Sequence, residues 1–152
     1  MPELEISIKI LQHGKGLPIP VHETDQSAGM DLRAAIDANN PVHLKPGARC
    51  IIQSGFCIAL PPGFEAQIRP RSGLAMKHGV TVLNSPGTVD ADYRGEIGII
   101  LINLGDQDFL IERGMRIAQM IIAPFTRVKL QDMETIPDSQ RGDSGFGSTG
   151  DF

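Results

Sequence analysis

The chain has 152 residues, of which 41% are hydrophobic and 21% charged, with 17 glycines and 11 prolines. This length suits a single domain with its own core, and the glycine and proline content favours many turns over long helices. The formal net charge of −4, the lack of tryptophan and the single tyrosine exclude the basic or aromatic surfaces with which proteins bind long nucleic acids.

The cysteine content and the hydropathy pattern predict a cytoplasmic protein without a membrane partner. Cys50 and Cys57 are seven residues apart in a segment predicted to be extended, which is too far for a disulfide. Unpaired thiols are typical of a reducing compartment. No apolar run reaches the ~18 residues of a membrane-spanning helix, and the acidic start of the chain differs from a secretory signal.

Short strands separated by turns are predicted throughout the first half of the chain. Apolar and polar residues alternate over 3–10, which predicts a half-buried strand. Prolines and glycines then divide the chain into further strands. These are expected over 29–35, as a strand pair over 50–60 that is broken at Ser54-Gly55, and over 64–69.

The second half adds one short helix and more strands. Residues 72–78 are the best helix candidate, with Ser72 as the N-cap. The segment 97–102 is apolar on both faces, so we expect a strand that is buried on both sides inside an oligomer. The remaining strands are expected over 80–83 and 96–104, on either side of a turn at 86–95, and over 109–111, 115–125 and 128–130.

This order of elements predicts an all-β fold. About ten short strands with turns every 8–12 residues are typical of a β-sandwich, a jelly roll or a barrel. The last 16 residues, from Pro137, are polar and rich in glycine and cannot form a core of their own. We therefore expect a β-barrel domain over 1–136 and a flexible arm over 137–152.

The segment RPRSGL, residues 69–74, joins a strand to the predicted helix and carries groups that bind anions. Arg71 supplies charge, Ser72 a hydroxyl and Gly73 a close backbone approach. A helix cap flanked by two surface arginines is the alternative interpretation.

Three acidic residues are candidates for chemistry. Asp90 and Asp92, in the turn over 86–95, suit a general base or a metal pair, and solvated turn carboxylates are the simpler alternative. Asp31 lies in a short apolar context, where a buried carboxylate needs a partner such as an arginine. The four histidines have no ligand spacing, so we expect no metal held by protein ligands.

The turn over 86–95 also predicts a pocket. A hairpin centred near Ala91 would place Asn84 opposite Gly98, and an amide that faces a glycine leaves room for a planar ligand. Tyr93 would then pack against a sugar or a ring. These groups together predict a site for a small ring-bearing molecule.

Polar residues also occur in two less expected places. Arg116 and Gln119 interrupt the apolar strand predicted over 115–125, where a solvated edge strand is the alternative to a binding role. In the tail, glycines expose backbone N–H groups, Arg141 offers a fork for phosphate and Phe146 offers a flat face for a base. A flexible tail without a ligand is the alternative there.

In chain order, five segments resemble the five motifs of the homotrimeric dUTPase family: AGMDL, RPRSGL, GTVDADYRG, GMRIAQM and RGDSGFGSTG. The resemblance runs from Ala28 to Gly150. It implies a jelly-roll-like β-barrel homotrimer with three active sites between subunits, each closed by a neighbour's C-terminal arm. The implied reaction is hydrolysis of dUTP to dUMP and pyrophosphate by Mg²⁺-assisted attack of water on the α-phosphate. This reaction keeps uracil out of DNA and supplies dUMP for thymidylate synthesis.

The resemblance also implies a role for each matching residue. Asp90 would activate the attacking water, and Asp31 and Arg116 would support the site, with Mg²⁺ held by the triphosphate and water. The substrate would be bound at its phosphates by Arg71, Ser72, Gly73, Gln119 and Arg141, at uracil by Asn84, Thr88, Val89, Asp90, Gly98 and Phe146, and at deoxyribose by Tyr93.

Two other functions remain open at this point. A dCTP deaminase has the same fold, although the glycine-phenylalanine arm and the DADYRG turn favour the hydrolase, and ammonia release from dCTP would identify it. The other is a non-enzymatic jelly-roll protein that uses a nucleotide as a signal, in which replacing Asp90 would change no turnover.

Overall fold

The computed structural model describes residues 3–150 and is built almost entirely of short strands. Eleven strands, one α-helix and one 3₁₀ turn occur in this range. Their bounds are β1 Ser7–Ile10, the 3₁₀ turn Gln12–Gly14, β2 Met30–Arg33, β3 Val42–Leu44, β4 Arg49–Gln53, β5 Phe56–Ala59, β6 Phe64–Arg69, α1 Ser72–His78, β7 Val80–Val82, β8 Gly87–Val89, β9 Gly98–Asn103, β10 Phe109–Ile111 and β11 Arg116–Pro124.

The strands form four antiparallel sheets that close around one core. The largest sheet has the order β2-β11-β6-β8, and a second has the order β4-β9-β7. Two strand pairs, β1 with β5 and β3 with β10, complete the barrel. No two paired strands are consecutive in the chain, and every pair except β7 with β9 and β6 with β8 is more than 30 residues apart. The predicted all-β, jelly-roll-like fold is confirmed.

Alternation along the strands places the core on one side of each sheet. In β9, Ile99 and Leu101 are fully buried, whereas Ile100 and Ile102 on the other face are only half-buried. Burying an aliphatic side chain of this size contributes about 1.5–3 kcal/mol. The sequence predicted burial on both faces of this strand, and the single chain buries one of them.

The predicted helix and two strands have the expected bounds, since α1 covers 72–78, β6 covers 64–69 and β10 covers 109–111. The predicted cap of the helix is wrong. Arg71 occupies the N-cap position without a side-chain cap, and Ser72 is the first helical residue. Gly79 ends the helix in the left-handed region (φ +66°) and donates its N–H to the carbonyl of Ala75, a conformation that favours glycine.

Four strand predictions need correction. The strands over 50–60 do not pair with each other, because β4 pairs with β9 and β5 pairs with β1. The strand over 3–10 is shorter, since only Ser7–Ile10 finds a partner strand. Residues 128–130 form no strand and are exposed, and the turn over 86–95 hides a short strand, β8, that pairs with β6.

The chain outside the barrel differs from it in exposure. Almost every residue from 126 to 150 is exposed, and none of them lies in a strand or helix. Residues 151 and 152, which belong to the predicted arm, lie outside the described residues, as do residues 1 and 2. Within residues 3–150, no helix has the length and apolar character needed to cross a membrane.

Both cysteines have free thiols in half-buried positions on β4 and β5. Burial raises the pKa of the Cys50 thiol, because the thiolate loses its hydration there. Cys50 is therefore protonated and weakly nucleophilic at neutral pH.

Candidate active site

A carboxylate held between two arginines lies where β2, β11 and β6 run side by side. Strand register places Asp31 beside Gln119, and Gln119 beside Arg69. The Asp31 carboxylate forms an ion pair with Arg71 Nε at 3.0 Å and accepts from Arg116 Nη1 at 3.1 Å. The predicted arginine partner of Asp31 is therefore confirmed, and the carboxylate has two such partners, Arg71 and Arg116.

Gln119 does not lie at a sheet edge, since β11 has β2 on one side and β6 on the other there. The edge-strand alternative is therefore wrong for Gln119, whereas Arg116 lies before the start of the β6 pairing and pairs with β2 alone. Arg116 also contacts Glu23, with Nη2 and Oε1 at 3.1 Å. Gln119 donates its amide N–H to the carbonyl of Pro70 at 2.9 Å, which ties β11 to the segment RPRSGL.

The start of α1 is open in the single chain. Ser72 and Gly73 are both exposed, and a Cβ added at Gly73 would meet no other atom within 4 Å. Crowding inside this chain therefore gives no reason for a glycine at position 73. Arg71, Ser72, Gly73 and Gln119 do lie together with Asp31 and Arg116 as one polar group, which we call the arginine cluster.

A pocket of about 180 Å³ opens beside the loop between β8 and β9. It brings together the predicted Asp90 and Tyr93 with the backbone of neighbouring residues. Asp90 is exposed, and within the described chain no side chain hydrogen-bonds to its carboxylate. The lining residues are Thr88, Val89, Asp90, Tyr93, Glu96, Ile97 and Gly98.

Tyr93 is folded back onto its own loop. Its hydroxyl donates to the Glu96 carbonyl at 2.9 Å, and its ring lies over Gly95, where any Cβ would overlap the ring and the hydroxyl. Arg94 Nη1 donates to the carbonyls of Ala91 and Tyr93 at 2.6 and 2.9 Å, which holds the loop compact. The loop thus holds Tyr93 on the wall of the pocket.

The predicted hairpin register is wrong by one residue. Val82 pairs with Leu101, and Leu83 donates its N–H to Ile100, so position 84 is level with position 99. Gly98 pairs instead with Gln53 of β4. Asn84 is exposed and does not line the pocket in the single chain, although its amide approaches Gly87 across the turn.

The arm residues are not brought to the pocket. Arg141 Nε donates to the carbonyl of Ser144 at 2.8 Å, within the arm itself. Phe146 is fully exposed and has a positive φ of 50°. Both predicted arm residues are therefore free of the barrel in this conformation.

The arginine cluster and the pocket lie at opposite ends of β6. Val89 pairs with Ala66, so Asp90 is level with Glu65, whereas the cluster begins after Arg69. Four residues of strand separate those two levels by about 13 Å. The pocket and the arginine cluster are therefore separate features of the single chain.

Two residues at the pocket were missed by sequence reasoning. Glu96 lines the pocket, and its carboxylate contacts His13, 83 positions away along the chain. Gly95 gives Tyr93 its space. The run of charged and glycine residues in DYRGE was the only local signal for either of them.

Within the part of the chain that the structure describes, no three His, Cys, Asp or Glu side chains come close enough to hold a metal ion together. The Asp31 carboxylate, which is nearest the arginines, has both oxygens engaged by Arg71 and Arg116. This donor set fits a cation bound through phosphate oxygens and water better than one bound directly by protein carboxylates.

Comparison with known sequences gives consistent relatives. A family profile described as dUTPase matches residues 15–150. The chain is 54% identical over 146 residues to a protein of Sinorhizobium medicae (strain WSM419) named deoxyuridine 5′-triphosphate nucleotidohydrolase, covering 96% of this chain and 91% of that protein. A protein of Rhizobium meliloti (strain 1021) with the same name is 56% identical over 140 residues, covering 92% and 88% of the two chains.

Comparison with solved structures agrees in fold. Staphylococcus bacteriophage 80alpha dUTPase with dUpNHpp has a TM-score of 0.81 and 27% identity, covering 96% of this chain and 98% of that chain. A variant of the dUTPase from phage phi11 of S. aureus, described with a structural Mg(II) ion, has a TM-score of 0.78 and 20% identity, covering 89% and 100% of the two chains.

Proposed function

The chain belongs to the dUTPase family and hydrolyses dUTP to dUMP and pyrophosphate, and on this premise we propose that Asp90 activates the water for that reaction. The supporting observation is an exposed carboxylate on the wall of the pocket, with no side-chain partner among the described residues. An ionised carboxylate of this kind accepts a proton from water as the water attacks the α-phosphorus. The bond from that phosphorus to the bridging oxygen then breaks, and pyrophosphate leaves.

The pocket itself suits the nucleoside. Thr88, Val89 and Gly98 line it, and their backbone N–H and carbonyl groups would pair with the polar edge of uracil. Tyr93 lies under the deoxyribose and leaves no room for a 2′-hydroxyl, as expected from the resemblance. Asn84 and Phe146 reach the uracil after the turn and the arm close.

The arginine cluster suits the triphosphate. Arg71 and Arg116 already hold an anion, the Asp31 carboxylate, at 3.0 and 3.1 Å, so their guanidinium groups point at one place. Ser72, Gly73 and Gln119 add a hydroxyl and N–H donors beside it. Asp31 fixes the direction of both arginines, which removes part of the entropic cost of binding phosphate.

The pocket and the arginine cluster lie at opposite ends of β6, so a second chain can supply one of them to the other. We propose a homotrimer in which the pocket of one subunit faces the arginine cluster of its neighbour. The half-buried Ile100 and Ile102 of β9 and the exposed Ile51 of β4 form an apolar face that a neighbouring subunit would cover. Residues 137–152 then act as the arm that brings Arg141 and Phe146 over the substrate.

Mg²⁺ is the metal that we propose for this reaction. A metal held through the triphosphate and water fits the donor set, since both oxygens of Asp31 are engaged by arginines. When bound, it neutralises charge on the phosphate oxygens. The protein's own contribution is to aim Arg71 and Arg141 at those oxygens.

Replacing Asp90 tests the proposal directly. We expect Asp90→Asn to bind dUTP with little change while kcat falls by roughly 100-fold or more, because the amide cannot accept the proton. Steady-state pyrophosphate release and binding of dUpNHpp measure the two effects separately.

Asp92→Asn is the matched control, since Asp92 is an exposed carboxylate in the same loop. It should leave kcat within about threefold of the unchanged protein, as surface substitutions usually do. Equal kcat values for Asp90→Asn and the unchanged protein would contradict the role of Asp90. Ammonia release from dCTP would point instead to the deaminase, which the names of the relatives do not favour.

A further inference from the structure

The loop between β8 and β9 is held to the barrel near its C-terminal end. Hydrogen bonds at its tip, from Tyr93 N–H to the Asp90 carbonyl and from Arg94 to nearby carbonyls, stay within the loop. The connection to the barrel begins at Glu96 and Ile97, where Ile97 N–H donates to the Phe56 carbonyl at 3.2 Å. The position of the loop therefore depends on these two residues.

Glu96 makes contacts in both directions. Its carbonyl accepts from the Tyr93 hydroxyl at 2.9 Å, inside the loop. Its carboxylate accepts from Gly55 N–H at 2.8 Å and contacts His13 Nε2 at 2.5 Å, both on the barrel side. The Glu96 side chain is 19% exposed, so this is a half-buried contact rather than a solvated surface pair.

The barrel side of this contact is closely packed and hydrogen-bonded. Gly14 and Gly55 approach so closely that a Cβ at either position would overlap the backbone of the other. Arg113 Nη1 donates to the His13 carbonyl at 2.8 Å and to the Ile36 carbonyl at 3.0 Å. The 3₁₀ turn that carries His13 is thus fixed from two sides.

From this chain of contacts we propose that Glu96, assisted by His13, is a positioning residue that sets where Tyr93 lies and thereby how the pocket selects deoxyribose. The proposal rests on the proposed function, in which Tyr93 lies under the deoxyribose. Glu96 touches Tyr93 through its carbonyl and the barrel through its carboxylate, so loss of the carboxylate frees the loop to shift. A shifted tyrosine binds dUTP less well and excludes a 2′-hydroxyl less strictly.

The test compares kcat and KM for dUTP and UTP among full-length variants. We expect Glu96→Ala to raise KM for dUTP and to reduce the preference for dUTP over UTP, each by about tenfold, as loss of hydrogen bonds to a charged group suggests. Its kcat should change by less than about threefold, because Asp90 is untouched. Glu96→Gln keeps an oxygen that accepts from Gly55 N–H, so its KM for dUTP and its preference for dUTP over UTP should stay close to those of the unchanged protein.

Two further variants separate positioning from general stability. Glu65→Ala removes another half-buried carboxylate, whose oxygen accepts from Gln67 at 2.7 Å on β6, and should leave KM and the preference unchanged. His13→Ala removes one of the two barrel contacts of Glu96 and should raise KM by a smaller factor. His13 is a surface side chain, so this variant folds even if Glu96→Ala does not.

Fluorescence gives an independent signal, since Tyr93 is the only tyrosine and the chain has no tryptophan. Binding of dUMP should change its emission less in Glu96→Ala than in the unchanged protein. The proposal is overturned if Glu96→Ala behaves like Glu65→Ala, or if His13→Ala leaves both KM and the preference unchanged. Tyr93→Ala distinguishes failure of the proposed function from failure of this inference. If Tyr93→Ala also leaves the preference for dUTP over UTP unchanged, Tyr93 does not contact the sugar and the proposed function is wrong on this point. If Tyr93→Ala reduces the preference but Glu96→Ala does not, only the role of Glu96 is wrong.

Discussion

Space for the Tyr93 ring is created at one position in the loop. The ring lies over Gly95, where a Cβ would overlap the hydroxyl and the ring carbon that bears it. Gly95 is not among the glycines with a positive φ. The loop therefore requires the small size of this glycine rather than its backbone freedom. The position of the tyrosine thus depends on the absence of one methyl group.

We expect Gly95→Ala to displace Tyr93 and to weaken discrimination between dUTP and UTP by about tenfold, because the sugar contact depends on the ring position. The melting temperature should fall by only a few degrees, since the loop is exposed. Competition kinetics with the two nucleotides measure the discrimination. Gly73→Ala, at a proposed phosphate-binding position with open space around the added Cβ, should leave the discrimination between dUTP and UTP unchanged even if it raises KM for both nucleotides. A Gly95→Ala variant that discriminates as well as the unchanged protein would contradict the account.

Single residues were predictable where the local context imposed a need. Asp31 lies among apolar neighbours and required a cation, and two arginines meet it. Glu96 and His13 were not predictable in this way, because both belong to ordinary polar stretches and meet only through the fold. A contact between residues 83 positions apart cannot be predicted from the local sequence around either residue.

The arm, residues 137–152, differs most clearly from the other elements in its hydrogen bonds and its burial, as far as its residues 137–150 are described. Its described hydrogen bonds join neighbours within it, as from Gly142 N–H to the Ser139 carbonyl and from Ser144 N–H to the Arg141 carbonyl. No residue from 137 to 150 is buried. The barrel therefore does not need the arm for its stability.

Deletion of residues 141–152 should leave the melting temperature nearly unchanged while kcat/KM for dUTP falls by roughly 100-fold, because Arg141 and Phe146 no longer order the substrate. Thermal unfolding and pyrophosphate release measure the two quantities on the same sample. Phe146→Ala in the full-length chain serves as the comparison and should lose part of the activity with the arm in place. A truncated protein with full activity would remove the arm from the mechanism.

Element predictions succeeded where a segment carried a complete local signal. Strand β6 follows Pro61-Pro62-Gly63, and α1 ends at a glycine, so both had clear boundaries. Strand β8 was missed because its three residues lie inside a turn-rich segment and are extended only through pairing with β6. Residues 128–130 have the composition of a strand, but this chain provides no partner strand for them.

In the whole molecule the pocket and the arginine cluster lie at opposite ends of β6. Asp90 is level with Glu65 on β6, and Arg71 follows the opposite end of that strand, beyond Arg69. Short motifs predicted Thr88, Val89, Asp90, Tyr93 and Gly98, which line the pocket, whereas Glu96 at the pocket was missed and Asn84 lies outside it. The separation of the pocket and the arginine cluster could not be predicted, since it depends on the direction in which β8 runs along β6.

Mixed oligomers of two inactive variants test this shared site most directly. Asp90→Asn damages the pocket, and Arg71→Ala damages the arginine cluster, so each variant alone should be nearly inactive. In trimers formed at random from equal amounts of the two, about a quarter of the sites combine an intact pocket with an intact cluster.

We therefore predict that the mixture of Asp90→Asn and Arg71→Ala recovers about a quarter of the activity of the unchanged protein. A mixture of Asp90→Asn and Tyr93→Ala, which both damage the pocket, is the matched control and should give no more than the average activity of its two parents. The measurement is pyrophosphate release from dUTP after the two chains are unfolded and refolded together. A first mixture as inactive as its parents would contradict a site shared between subunits.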